Sequence, residues 1–136
     1  MEENNKNQFI NYTPHELNMI KIDADENVTT LVTFPASGLI IRAKKNATVD
    51  RKITIDGHVF EIREVRFGKP MLVKSREDKD KGTPLPEQQE GVTLLVSAIA
   101  GAALKQAGRT DFLIMDDTKY DGRMILGATG FSDMTL

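Results

Sequence analysis

A chain of 136 residues, 40% hydrophobic and 28% charged, is long enough for one domain with a core of its own. It has no cysteine, so neither a disulfide nor a thiol nucleophile is available, which fits a cytosolic protein. A net charge of −2 argues against a general binder of duplex DNA.

Residues 1–8 are polar and acidic, unlike a signal peptide, and read as a flexible tail ahead of a single ligand-binding domain at 9–136. Phe9 to Tyr12 reads as a short strand, ended by Thr13-Pro14-His15, because proline fixes its own φ and restricts the residue before it. Leu17 to Ile22 and the β-branched run Val28 to Phe34 are the next strands, separated by a turn of acids and Asn. After the tight turn Pro35-Ala-Ser-Gly38, Leu39 to Lys44 alternates, with Leu39, Ile41 and Ala43 on one face. Asp56-Gly57 between Arg51–Ile55 and His58–Phe67 is a hairpin signal. On the second arm Val59, Glu61, Arg63, Val65 and Phe67 share one face, and Phe60, Ile62, Glu64 and Arg66 the other. Met71 to Val73 is a further strand, and 75–91 reads as a solvated loop.

The longest run without a charge lies at 91–104 and allows two readings: one helix from Val92 to Ala107, or a buried strand Thr93–Val96 followed by a helix. The second is preferred. Ser97 is a good N-cap, Ala98 to Ala107 is alanine-rich, and Gly108 sits where a left-handed C-terminal residue belongs. Ala98, Gly101, Ala102 and Ala103 let this helix approach closely either a sheet or another copy of itself. Phe112 to Met115 then reads as a buried strand, and Asp121-Gly122 as a hairpin turn with a returning arm from Arg123 to Phe131. The predicted fold is α+β: a mostly antiparallel β-sheet with one main helix packed on it and a C-terminal hairpin. The apolar run at 91–104 is too short to span a bilayer, so no membrane association is expected.

Catalytic signatures are poor. His15 and His58 lack metal-ligand partners at helical spacing and read as turn residues. Asp116-Asp117 is an isolated acidic pair, and Gly127-Ala-Thr-Gly130 lacks the helix that a phosphate loop requires. A binding protein, not an enzyme, is expected, without cofactor or metal. Ten basic and four acidic residues between Ile40 and Arg76 make that segment +6, against −8 elsewhere. This concentration suits either a phosphate-bearing ligand or the solvated face of a sheet. The candidate ligand-binding residues are Arg42, Arg63 and Arg66, with Lys119 and Arg123 flanking the C-terminal hairpin turn, where they are expected to face each other diagonally. Arg109 joins them, although its place after the helix C-terminus suits the helix dipole equally well.

Four motifs carry a family resemblance. They are Asn11-Tyr-Thr-Pro-His-Glu-Leu-Asn18; Phe34-Pro-Ala-Ser-Gly38 followed by Arg42; Leu85-Pro-Glu-Gln-Gln-Glu-Gly91 leading into Leu95-Val-Ser97; and Asp121-Gly-Arg123 followed by Gly127. In this order they span most of the chain, and together they resemble the phage anti-Thoeris "sponge" family that sequesters cyclic ADP-ribose isomers. The resemblance implies a phage-encoded immune-evasion protein of the host cytoplasm. It would hold the small-molecule cyclic nucleotide signal of a bacterial TIR-domain enzyme uncleaved. It also implies a homo-oligomer, dimer or hexamer, and a capacity in some members for CBASS cyclic oligonucleotides. Arg42 and Arg123 fall inside matched motifs, Lys119 stands where a second basic residue near the hairpin is expected, and 75–84 is an insertion. The alternatives are a phage structural or host-takeover interaction protein, and a metal-dependent nucleotide hydrolase using Asp116 and Asp117.

Overall fold

A computed structural model describes residues 7–74 and 82–135; residues 1–6 of the predicted 1–8 tail and 75–81 of the predicted loop lie outside them, while Gln8 already belongs to the first strand. The chain order is β1 (Gln8–Asn11), β2 (Leu17–Ile22), β3 (Val28–Phe34), β4 (Ile40–Arg42), β5 (Lys45–Ile55), β6 (His58–Phe67), β7 (Met71–Val73), β8 (Val92–Val96), α1 (Ala98–Gln106), β9 (Phe112–Asp121) and β10 (Met124–Ser132). The fold is α+β, with strands predominating, one helix and a C-terminal hairpin.

The main sheet has the order β1-β8-β9-β10-β2-β3. It is mixed: β1/β8, β8/β9 and β10/β2 are parallel, while β9/β10 and β2/β3 are antiparallel. The two smaller pairings, β4/β7 and β5/β6, are antiparallel, so antiparallel ladders keep a narrow majority. Parallel neighbours explain the central run. β8 lies between β1 and β9, and Leu94, Leu95 and Val96 are all buried, which removes the alternation that a one-sided strand would show.

Helix α1 connects the parallel strands β8 and β9 and is capped as the local signals demand. The Ser97 hydroxyl accepts from the Ala100 amide at 3.3 Å. At the other end Gly108 takes φ +85°, its amide bonds the Lys105 carbonyl, and the Arg109 amide bonds the Leu104 carbonyl. These two bonds form a Schellman closure. The helix buries Ala100, Gly101, Ala103 and Leu104. A Cβ added at Gly101 would lie 3.0 Å from Ile114 Cγ2 and 3.0 Å from Met134 Sδ. Gly101 and Ala103 thus pack within the chain, Gly101 against β9 and the C-terminal segment, while Ala98 is exposed and Ala102 half-buried.

Leu94, Val96, Ala100, Leu104 and Phe112 form one core cluster with Tyr12 and with Ile41 and Leu72 from the β4/β7 pair. Burial of the Tyr12 ring pushes its phenol pKa up. The run Leu39–Lys44 breaks where Ile40–Arg42 leaves β7 and the chain turns into β5. From Lys45 to Phe67 the β5/β6 ribbon carries no buried residue, and it is tied to the body by Gln106, whose side-chain amide grips both the amide and the carbonyl of Phe67 at 3.1 and 2.7 Å.

Candidate functional site

The motif that opens the family resemblance is first of all a structural knot. Asn11 ends β1 at 2% exposure, and its side-chain amide donates to the carbonyls of His15 and Phe34 at 2.8 and 3.0 Å. Its Oδ1 accepts from both the amide and the hydroxyl of Thr13, and the Thr13 hydroxyl in turn bonds the His15 carbonyl. The side chains of this buried pair are satisfied within the knot, the single Thr13 hydroxyl proton being shared between Asn11 Oδ1 and the His15 carbonyl, as low-dielectric surroundings require. The Ser37 amide bonds the Asn11 carbonyl, so the Pro35–Gly38 turn hangs on the same knot.

Two clefts open beside it. The larger, about 500 Å³, runs between the knot, the start of α1 and the β9/β10 hairpin; Thr13, His15, Glu16, Asn18, Ser97, Thr118 and Tyr120 are its polar lining residues, Glu16 the one charged carboxylate among them, with Ile114, Ile125 and Ala128 among its apolar walls. The smaller, about 310 Å³, is lined by Pro14, Ile40, Arg42, Ser97 and Ile99 among others. Thr13 and His15 face one cleft and Pro14 the other, and Ser97 borders both. The dividing wall is therefore the Thr13–His15 turn together with the N-terminus of α1. Beyond the bond to Ser97, the first amides of that helix have no partner within the helix, and the positive end of its dipole points at the junction.

Gly127 shapes the large cleft. Its φ is +152°, and a Cβ there would lie 2.5 Å from the Asn18 carbonyl oxygen and 2.8 Å from Ile20 Cγ2. It is the point at which β10 approaches β2, so the glycine of the Gly127-Ala-Thr-Gly130 segment serves strand packing.

The structure disperses the six candidate cations. Arg42 ends β4 and lines the smaller cleft. Arg63 and Arg66 lie on the exposed ribbon, each ion-paired two residues back on its own strand face, to Glu61 at 2.6 Å and to Glu64 at 2.5 Å. Arg51 pairs likewise with Asp50. The basic stretch read from composition is thus partly neutralised where it stands. Arg109 is held in a two-pronged pair with Asp111, at 2.9 and 2.7 Å, and donates to the Pro86 carbonyl at 3.0 Å. The hydrogen bonds to Asp111 raise its pKa further, and its fork is committed to joining the 82–91 loop to β9. Lys119 pairs with Asp117 at 2.9 Å, whereas the large cleft is lined by its strand neighbours Thr118 and Tyr120. Strand alternation puts Lys119 on the opposite face. Arg123 occupies the turn itself: the register sets Asp121 opposite Met124 and Lys119 opposite Gly127. Arg123 therefore lies in the turn and not on the strand position diagonal to Lys119.

No protein-family model, curated protein or solved structure matches the chain.

Cation counting missed the residues that the fold does assemble: His15, Asn18, Ser97 and Tyr120 around the large cleft. Three of them, His15 and Asn18 in the Asn11–Asn18 motif and the Ser97 cap, are brought together because β1 and β8 pair in parallel and so place their C-terminal ends side by side, a pairing with no local sequence signal. Among the described residues no helix is long and apolar enough to cross a membrane.

Proposed function

We propose that the chain is a phage-encoded binding protein that sequesters a cyclic ADP-ribose isomer without cleaving it, and so silences a TIR-domain alarm in the host cytoplasm. The observation that carries this reading is the meeting of two clefts at Ser97. One presents a phenol and an imidazole, Tyr120 and His15; the other presents a guanidinium, Arg42. A cyclic dinucleotide-like ligand needs flat groups against which its base can stack and a positive field for its diphosphate. In this reading the diphosphate sits at the helix N-terminus, where backbone amides and the dipole favour an anion, with Arg42 beside it. The base lies in the larger cleft against Tyr120, which is 59% exposed. The resemblance of four ordered motifs to the sponge family supports the same conclusion, and cyclic oligonucleotides fall within the same ligand chemistry.

The experiment is capture and release. The protein is incubated with a cyclic ADP-ribose isomer, separated from free ligand, then heat-denatured, and the supernatant is analysed. Intact ligand returned on denaturation is the expected result; converted ligand indicates a hydrolase, and ligand never depleted indicates an interaction protein. Arg42→Ala is expected to weaken capture about tenfold or more, since charge-assisted bonds contribute about 1.5–3 kcal/mol each.

A further inference from the structure

The β5/β6 ribbon is unusual for its size. It pairs eleven residues with ten, yet its only sheet partner among the described residues is itself. Two-stranded ribbons are marginal in water, and this one exposes Val59 at 64% and Phe60 at 51%. Its outer edge on β6 can be mapped residue by residue. Gln106 occupies the amide and carbonyl of Phe67, so those groups point away from β5. Backbone direction alternates along an antiparallel strand, so Val65, Arg63, Glu61 and Val59 turn their amides and carbonyls outward too, while His58, Phe60, Ile62, Glu64 and Arg66 bond to β5. The open edge thus ends at the Gln106 clamp on one side and at the Asp56-Gly57 turn on the other. It is centred on Ile62.

We infer that β6 pairs antiparallel with β6 of a second copy, about a two-fold axis through Ile62, to give a continuous four-stranded sheet. Three observations select this occupant and this register. Only an axis at Ile62 gives all four outward residues a mate, Val59 with Val65 and Glu61 with Arg63 of the second copy. That register sets opposite charges across the seam twice, whereas an axis one residue away sets Glu61 against Glu61 or Arg63 against Arg63. It also places Ile62 against Ile62, with Phe60 diagonal to it and opposite Glu64 of the second copy. The pairing is isologous and closes at two copies along this edge. It is independent of the ligand proposal, because neither cleft includes a residue of β6.

The test exploits the charge pattern. Light scattering of the full chain at tens of micromolar is expected to give twice the 15.1 kDa monomer mass. Glu61→Arg and Arg63→Glu each set like charges across the seam, and each is expected to weaken the dimer at least tenfold. An equimolar mixture of the two single variants restores opposite charges at both positions and is expected to recover the dimer mass, which also proves that both variants are folded. A monomeric wild type overturns the inference, as do single variants that keep the dimer mass or a mixture that stays monomeric. Ligand capture by the single variants reports separately on the clefts.

Discussion

Gly127 lies so close to Asn18 that no side chain fits between β10 and β2: an added Cβ would sit 2.5 Å from the Asn18 carbonyl oxygen. β10 and β2 meet at a single registered pair, Ala128 with Met19, so this contact governs how the C-terminal hairpin docks and how wide the large cleft is. Gly127→Ala is expected to destabilise by about 1–3 kcal/mol from overpacking alone, with added cost from its positive φ. Urea denaturation measures the loss. Because the hairpin carries Tyr120 and Ile125, affinity for a nucleotide ligand is expected to fall together with stability.

Asn11 offers a sharper case. Its buried amide satisfies two carbonyls from different segments and receives two bonds from Thr13. Asn11→Ala leaves the carbonyls of His15 and Phe34 and the amide of Thr13 without this partner, at about 1–3 kcal/mol for each group that water cannot reach. A fall of the urea midpoint by at least about 2 kcal/mol equivalent is expected, larger than for Asn18→Ala, whose side chain receives the Thr33 hydroxyl at an exposed position. Equal losses for the two variants would show that the knot is not a stability centre.

Much of the fold was legible because its signals are local. The Ser97 cap, the alanine run and Gly108 delimit α1 to within a residue, and both Asp-Gly pairs mark hairpins. The parallel pairings β1/β8 and β10/β2 were not legible, since no local pattern names a partner about 80 or 110 residues away. The site failed for a related reason. Charge totals ignore strand faces, yet Glu61 with Arg63 and Glu64 with Arg66 were already spaced at i, i+2, which puts each pair on one face. Alternation likewise separates Lys119 from Tyr120, although they are adjacent in sequence.

Arg109 separates structural from ligand chemistry. The Asp111 carboxylate is only 5% exposed and the guanidinium 18%. Arg109→Met removes the counter-charge and the Pro86 bond together. Its cost is expected between the ~1 kcal/mol of an exposed pair and the ~3–5 kcal/mol of a buried pair broken on one side. Once folded, the variant should hold ligand as the wild type does. Arg42→Ala should weaken capture about tenfold or more. Calorimetry with ligand and thermal melts on both proteins separate the two effects.

Acid should loosen the β2/β3 turn. Asp23 accepts from the Asn27 amide at 2.8 Å, and from the Asp25 amide and the Asn27 side chain. The backbone bond from Asn27 is the main cause that holds its pKa below the usual carboxylate value. A carboxylate with a lower pKa in the folded than in the unfolded state contributes stability above the unfolded pKa, about 3.9. That contribution disappears as pH falls through the folded value. Thermal melts between pH 6 and pH 2 are therefore expected to decline less steeply for Asp23→Asn than for the wild type below about pH 4.

The metal-dependent hydrolase reading turns on Asp116 and Asp117, and the second of these already has partners. Its Oδ2 accepts from the Thr129 hydroxyl at 2.5 Å and its Oδ1 from Lys119 Nζ at 2.9 Å. The Thr129 bond first, and Lys119 after it, hold its pKa low. A cation bridging the acidic pair to a phosphate would have to share these oxygens with Thr129 and compete with the Lys119 charge. The proposed sequestering site would need no such ion, because the helix N-terminus and Arg42 would meet the ligand's charge directly. Capture of a cyclic ADP-ribose isomer is accordingly expected to survive excess chelator, and to survive Asp116→Asn combined with Asp117→Asn. The double variant loses the Lys119 ion pair at the surface, so circular dichroism and a thermal melt must first show it folded. If the folded double variant no longer depletes the ligand, and chelator has the same effect on the wild type, the sequestration proposal gives way to metal-assisted hydrolysis.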